Sequence, residues 1–220
     1  MNSDKAYQRL QQYEDELKDY LDRDLSESDT RAKFIDFFLR EVLGWPERSI
    51  ERERTYWNED GRAALDYAVG IRMPLFVLEA KRKTTSFEIP HARSPFLYTL
   101  NGEIGSCPNV LAAIIQARKY CDDHGVPYAV VTNGRQFALF KAVTLHRGWK
   151  EGHAGVFDIG TLLKKHFREV YAALSYEQHS VHNLDHLLGL VPEVAFCERV
   201  ADDTGVQVGR LSNTMSDVIE

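Results

Sequence analysis

Cysteine is scarce in this sequence. Cys107, Cys121 and Cys197 are the three among 220 residues, far apart and in no C-x-x-C pair. That spacing excludes a disulfide scaffold, argues against a structural zinc and favours a reducing compartment such as the cytoplasm. Long apolar runs are missing too. None approaches the roughly 18 residues of a membrane span. The opening stretch, MNSDKAYQRLQQYEDELKDY, is polar and acidic, which fits neither a signal peptide nor a basic transit peptide. There is no G-x-x-x-x-G-K-[ST] loop and hence no sign of an ATP-hydrolysing motor, no H-E-x-x-H, and no internal repeat.

What is present suits a chain with a proper core: 44% hydrophobic and 27% charged residues. The net charge of −6 disfavours indiscriminate binding to nucleic acid, but its distribution is uneven. Acids dominate residues 1–60. Between Lys81 and Lys150 the balance reverses, through Lys81, Arg82, Lys83, Arg93, Arg118, Lys119, Arg135, Lys141, Arg147 and Lys150. A basic face on an acidic chain is compatible with a phosphate-backbone partner.

The most informative stretch is RAALDYAVGIRMPLFVLEAKRK, residues 62–83. Two apolar runs, 63–69 and 75–81, flank Gly70 and Pro74 and read as a hairpin. Glu79 and Lys81 are two apart and share a face. A turn centred near residues 72 and 73 sets Asp66 opposite Glu79, with Cβ atoms about 4.5–5.5 Å apart. Carboxylates that close repel unless a proton or cation lies between them, and a hard divalent ion such as Mg²⁺ or Mn²⁺ suits such a pair. Lys81 beside them can orient a water or offset charge on a phosphate. Two readings fit the hairpin alone: this metal site, or a half-exposed hairpin carrying a surface salt bridge. The acids interrupt a run that otherwise reads as a buried strand, and buried acids need partners.

The rest of the chain alternates helices and strands. Residues 3–24 form an amphipathic helix; residues 29–43 form a second, capped by Ser26, Glu27 or Ser28 and stopped at Gly44. Its core face is Phe34, Ile35, Phe38, Leu39 and Val42. A strand over 49–57 leads into the hairpin. Residues 84–108 show little periodicity. A helix over 109–124 follows, then a strand (126–132), a type I′ turn signal at Asn133-Gly134 and a partner strand (136–141). Helices are expected at 160–175 and near 183–190. The pattern makes an α/β chain, a mixed sheet flanked by helices. Two units are expected: residues 1–175 as the main domain, and 176–220 as a helical extension or linker, with further domains in a longer protein.

Several motifs in order resemble the PD-(D/E)-x-K nuclease superfamily, and more narrowly the N-terminal nuclease domain of type I restriction enzyme motor subunits. They are Ser26-Glu27-Ser28-Asp29-Thr30-Arg31, Leu43-Gly44-Trp45, Asp66, Glu79-Ala80-Lys81, Gln116-Ala117-Arg118-Lys119-Tyr120, and the run from Val126 to Gly134. Leu65 departs from the proline found in many members. The resemblance implies a restriction-endonuclease-like mixed sheet and an Mg²⁺- or Mn²⁺-dependent endonuclease acting on DNA, in restriction or anti-phage defence. Asp66 and Glu79 would then be metal ligands, with the Ala80 carbonyl a third and Glu27 completing the set. Lys81 would position the attacking water. Gln116 and Tyr120 match the Q-x-x-x-Y motif beside the centre, and Arg118 and Lys119 would add phosphate contacts.

Implied partners are DNA and separate motor, sensor or specificity modules, with no membrane and with room for a homo-oligomer. The rival readings are a catalytically inactive module of the same fold that binds nucleic acid or serves assembly, and an unrelated α/β interaction domain. His179, His182 and His186 place two imidazoles four apart, but the spacing alone does not make a zinc site.

Overall fold

The computed structural model describes residues 2–21, 26–58, 61–82, 84–87, 89, 96–144, 148–160 and 162–190. The expected tail beyond residue 190, with Cys197, lies outside the described residues, as do Lys83, Arg93 and Arg147. Among the described residues seven strands form one sheet: β1 (Ile50–Asn58), β2 (Gly61–Gly70), β3 (Pro74–Ala80), β4 (Leu97–Thr99), β5 (Tyr128–Thr132), β6 (Gln136–Lys141) and β7 (His153–Asp158). Their spatial order is β1-β2-β3-β5-β6-β7-β4. Only β3 and β5 run parallel; every other neighbour is antiparallel. The sheet is therefore mixed, as the alternation of elements predicts.

Helices cover both faces. α1 (Ser3–Leu21), α2 (27–42), α5 (Phe167–Leu174) and α6 (Val181–Leu187) build one layer, and α3 (Pro108–His124) the other. A short α4 (Leu162–Lys165) precedes α5, so the expected helix over 160–175 is broken at His166. Strands β5 and β6 bury Ala129, Val131, Ala138 and Phe140 toward α3, and Tyr128, Val130, Phe137 and Leu139 toward the other layer. Burial on both faces explains why the central strands read as continuous apolar runs. Strands β4 and β7 escaped the sequence reading. The first is three residues long inside an aperiodic stretch, and the second is a mixed run, HAGVFD, interrupted by Gly155. Among the described residues no helix is long and apolar enough to cross a membrane.

α2 opens with Ser26 as N-cap, its hydroxyl accepting from the Asp29 N–H at 3.0 Å. After an α-helical turn (Glu27–Thr30) it widens into two π-helical stretches, Arg31–Ile35 and Phe38–Val42. All five residues of the predicted core face are buried. Gly44 adopts φ +73° and ends the helix, and Trp45 tucks under it, donating its indole N–H to the Leu174 carbonyl at 2.7 Å. The β5–β6 turn centres on Gly134 and Arg135, one residue later than the Asn133-Gly134 signal indicates. Buried Asn133 instead accepts from the Arg135 and Gln136 N–H groups and donates to the Thr85 carbonyl. Gly134, at φ +81°, lies against α2: a Cβ there would meet Thr30 Cγ2 at 2.5 Å and Phe34 at 3.4 Å.

Gly134→Ala combines a left-handed backbone with a steric clash and is expected to lower stability by about 2–3 kcal/mol. Gly44→Ala meets no atom within 4 Å and should cost only about 1 kcal/mol. Thermal unfolding of the two variants beside the parent checks the order, at about 2–4 °C per kcal/mol for a chain of this size.

Candidate active site

The site forms where β2 and β3 part. Their ladder runs through Val69↔Phe76, Ala68↔Val77 and Tyr67↔Leu78 and then stops. Continued by one step, the register sets Asp66 opposite Glu79, as the hairpin reading requires; by two, it sets Ala80 against Leu65. In place of that second rung the Ala80 N–H donates to Asp66 Oδ2 at 2.7 Å. A carboxylate has replaced a backbone carbonyl as acceptor. On its other side β3 stays tied to β5: Ala80 pairs with Thr132, and the Lys81 N–H donates to the Thr132 carbonyl at 2.7 Å. A strand residue's N–H and C=O point the same way, so the Ala80 carbonyl is directed toward the same gap as its N–H.

β2 is irregular at this point. Leu65 packs in the α3 layer while Tyr67, two residues on, packs in the opposite layer, so the alternation breaks across Asp66. β1 is irregular at the matching position. Arg52↔Tyr67 and Arg54↔Leu65 pair normally, but Glu53, which faces Asp66 in that register, has φ +52° and makes no pair. Non-glycine residues rarely adopt this conformation within a strand.

Glu79 is the buried member, its side chain 4% exposed; Asp66 retains 15%. Lys81 Nζ donates to Glu79 Oε1 at 2.7 Å and to Gln116 Oε1 of α3 at 2.8 Å. Arg31 of α2 donates through Nη1 to Asp66 Oδ1 at 3.0 Å, while its Nη2 lies 3.1 Å from Glu53 Oε1. Each acid thus has a cation: Lys81 from the end of its own strand, and Arg31 from a helix.

Burial dominates the acidities. It raises Asp66 above the ordinary aspartate range, against the pull of the Ala80 N–H and Arg31. Burial, then the Asp66 charge, pushes Glu79 up to about 7, although Lys81 pulls the other way. Glu27, one helical turn before Arg31, is near enough for its charge to raise both groups. It does not join them in a preformed cage, for among the described residues no three His, Cys, Asp or Glu side chains gather closely enough to hold a metal ion. The donor set still fits a hard divalent cation. One buried and one half-buried carboxylate face one gap with a backbone carbonyl directed into it, and burial has raised the proton affinity of both.

The other residues singled out in the sequence are placed as follows. Gln116 is exposed and reaches the site through Lys81. Tyr120, four residues on, is 1% exposed and packs edge-on against Tyr56 of β1, its hydroxyl without a hydrogen-bond partner among the described residues. It anchors α3 to the sheet and is not open to a ligand. Arg118 pairs with Asp122 at 2.7 Å and lies over the Trp149 ring. Lys119 is partly buried. His179 Nδ1 sits 3.0 and 2.9 Å from the Ser175 and Tyr176 carbonyls, with its ring against Trp45. That is a structural role, and His182 and His186 are exposed. The sequence reading gave no role to Arg31 or Glu53. The spacing of Arg31 from Glu27, four residues on one helix face, was the available signal for the first; nothing local marks the second.

No family model and no curated relative matches this chain. Two solved structures do. One is a fragment assigned as the HsdR subunit of a type I restriction enzyme from Vibrio vulnificus YJ016, 19% identical, with a TM-score of 0.37 over 66% of this chain and 26% of that one. The other is the DrdV–DNA complex, 17% identical, with a TM-score of 0.37 over 74% of this chain and 94% of that one. The chain thus spans about a quarter of the HsdR fragment.

The acidity of Glu79 sets a sign for stability. Between pH 4.5 and 7 the unfolded chain ionises this group while the folded chain holds its proton, so the group's contribution to stability falls as pH rises. The rise to about 7 corresponds to roughly 3 kcal/mol at alkaline pH. Glu79→Gln, measured by urea unfolding in EDTA, is expected to match the parent near pH 4, gain over it from pH 5 to 7, and hold a constant advantage above pH 7.

Proposed function

We propose that this chain is a metal-dependent nuclease domain that hydrolyses DNA phosphodiester bonds. The observation that carries the reading is the pair of carboxylates, half-buried Asp66 and buried Glu79, at the splayed end of β2 and β3, with the Lys81 ammonium held 2.7 Å from Glu79 by a second contact to Gln116. The order of motifs, which resembles the PD-(D/E)-x-K nucleases, supports the same chemistry, and the basic stretch after Lys81 supports a polyanionic substrate. A role in restriction or anti-phage defence belongs to this proposal by the same resemblance, as do a cytoplasmic setting and separate motor or specificity modules.

Asp66, Glu79 and the Ala80 carbonyl would hold Mg²⁺ or Mn²⁺, with Glu27 drawn in from α2. An ion bound there supplies Lewis acidity toward a phosphate oxygen and lowers the pKa of a bound water. Lys81 carries the chain's own share. Its ammonium has three donors, two of which engage Glu79 and Gln116. The third is available to orient the attacking water or to meet charge growing on the phosphate. Gln116 keeps the flexible lysine in one place, so little reorganisation is needed at the moment of reaction. Burial keeps competing water away from Glu79 and strengthens each of these contacts.

The second reading, an inactive module of the same fold that binds nucleic acid, predicts binding without cleavage. The test is incubation with plasmid, linear duplex and single strands, with and without Mg²⁺, followed by single-turnover rates for the variants. Asp66→Ala is expected to lose Mn²⁺ binding and cleavage together. Lys81→Ala should keep both nucleic-acid and metal binding yet lose about 10²–10³ in rate, the scale of one preorganised donor. Lys81→Arg should not restore the rate, because a guanidinium is no substitute for a compact ammonium. Unchanged cleavage in Lys81→Ala would move the chemistry away from this hairpin.

A further inference from the structure

Arg31 has two edges with different partners. The inner edge meets Asp66, whose side chain is 15% exposed; the outer edge meets Glu53, whose side chain is 70% exposed. Arg31 itself is 19% exposed and sits on the helix that carries Glu27. An exposed ion pair contributes little to folding, yet β1 departs from its ladder for this one residue. The pairs on either side of Glu53 are intact, and Glu53 alone takes φ +52°. Backbone strain of this kind persists where the surroundings impose it, and it concentrates at clamps and switches. A carboxylate and a phosphodiester present the same kind of oxygen pair to a guanidinium fork, and arginine binds either in the same plane.

Resting on the nuclease reading of this site, we infer that Glu53 holds the place of a substrate phosphate on Arg31. When DNA binds, the outer edge of the guanidinium exchanges the Glu53 carboxylate for a backbone phosphate, while its inner edge remains on Asp66. Arg31 thereby ties the substrate strand to the carboxylate that carries the chemistry. Free of substrate, the chain keeps this cation paired and aligned. The exchange also gives Glu53 a selective task, since an isolated anion must outcompete a carboxylate already in place, whereas a polyanionic strand brings its other phosphates to the protein at the same time.

The test is a double-mutant cycle on binding, read by fluorescence anisotropy of a short labelled DNA duplex in EDTA at low salt, with thermal melts confirming that each variant is folded. Glu53→Gln should bind about 3- to 10-fold more tightly than the parent, and Arg31→Gln about 10-fold more weakly. In the Arg31→Gln background, Glu53→Gln should change affinity less than about 2-fold, because Glu53 acts mainly through Arg31. Arg31→Lys keeps the charge but loses the fork, and should lose most of the response to Glu53→Gln. Glu51→Gln, which removes an exposed acid from the same strand, should change affinity less than 2-fold.

The inference is overturned if Glu53→Gln tightens binding equally with and without Arg31, or if Glu51→Gln tightens it as much, since either result reduces the effect to net charge. Binding by the parent chain with an uncoupled Glu53 overturns this inference and leaves the nuclease reading standing. No binding of duplex by the parent, together with no cleavage in Mg²⁺, overturns both.

Discussion

The hydrogen bond from the Ala80 N–H to the Asp66 carboxylate is the contact on which the site depends. A strand partner would ordinarily supply a backbone carbonyl at that rung. Using a side chain instead lets β2 and β3 separate without leaving a buried N–H unpaired, a cost of about 1–3 kcal/mol. The separation opens the gap that both carboxylates face. The same bond fixes Asp66 beside Glu79, and two acids so placed require cations. Lys81 and Arg31 meet that need from opposite sides of the sheet end. Removing Glu79 would leave Lys81 without its counter-charge, and removing Asp66 would leave Arg31 with Glu53 alone, so the four groups are coupled and their substitutions will not add.

The layers around the sheet hold these groups in position. β5, parallel to β3, holds the Glu79-Ala80-Lys81 backbone from the far side. α3, fastened by buried Tyr120, Ala117 and Ala113, brings Gln116 to Lys81. α2 leans on the β5–β6 turn at Gly134 and brings Glu27 and Arg31 to the end of β2. Its π-helical stretch begins at Arg31, and such widenings often occur at functional sites. Residues far from the gap therefore help set its geometry, and the tight approach of Gly134 to Thr30 supports the helix that carries Glu27 and Arg31.

Much of this was legible in the chain itself. Asp66, Glu79 and Lys81 stood out because polar residues interrupted runs that otherwise read as buried strands, and the period of 2 put Glu79 and Lys81 on one face. α2, α3 and the β5–β6 hairpin were recoverable from capping residues and glycines. Tyr120, which the Q-x-x-x-Y resemblance sets beside the centre, is buried against the sheet. A tyrosine four residues from an exposed glutamine shares its helix face, but helix position does not say how far the sheet below extends, and Tyr56 of β1 closes over it. β4 was missed because three residues give no period to read.

The sequence by itself determined which residue types could do chemistry and which of them a short hairpin brings together, because strand alternation and turn position are local rules. It located the end of α2 at Gly44 and of α3 at His124 for the same reason, while the choice of Ser26 among three candidate caps came from the structure. Tertiary structure alone decided that Ala80 takes its acceptor from a side chain, that Gln116 reaches Lys81 from 35 residues away, and that Arg31 joins Asp66 to Glu53. Those contacts depend on where the two strands part and how the helices pack over their ends. That is a balance of burial, charge and backbone pairing among segments distant in the chain, and no local pattern encodes it.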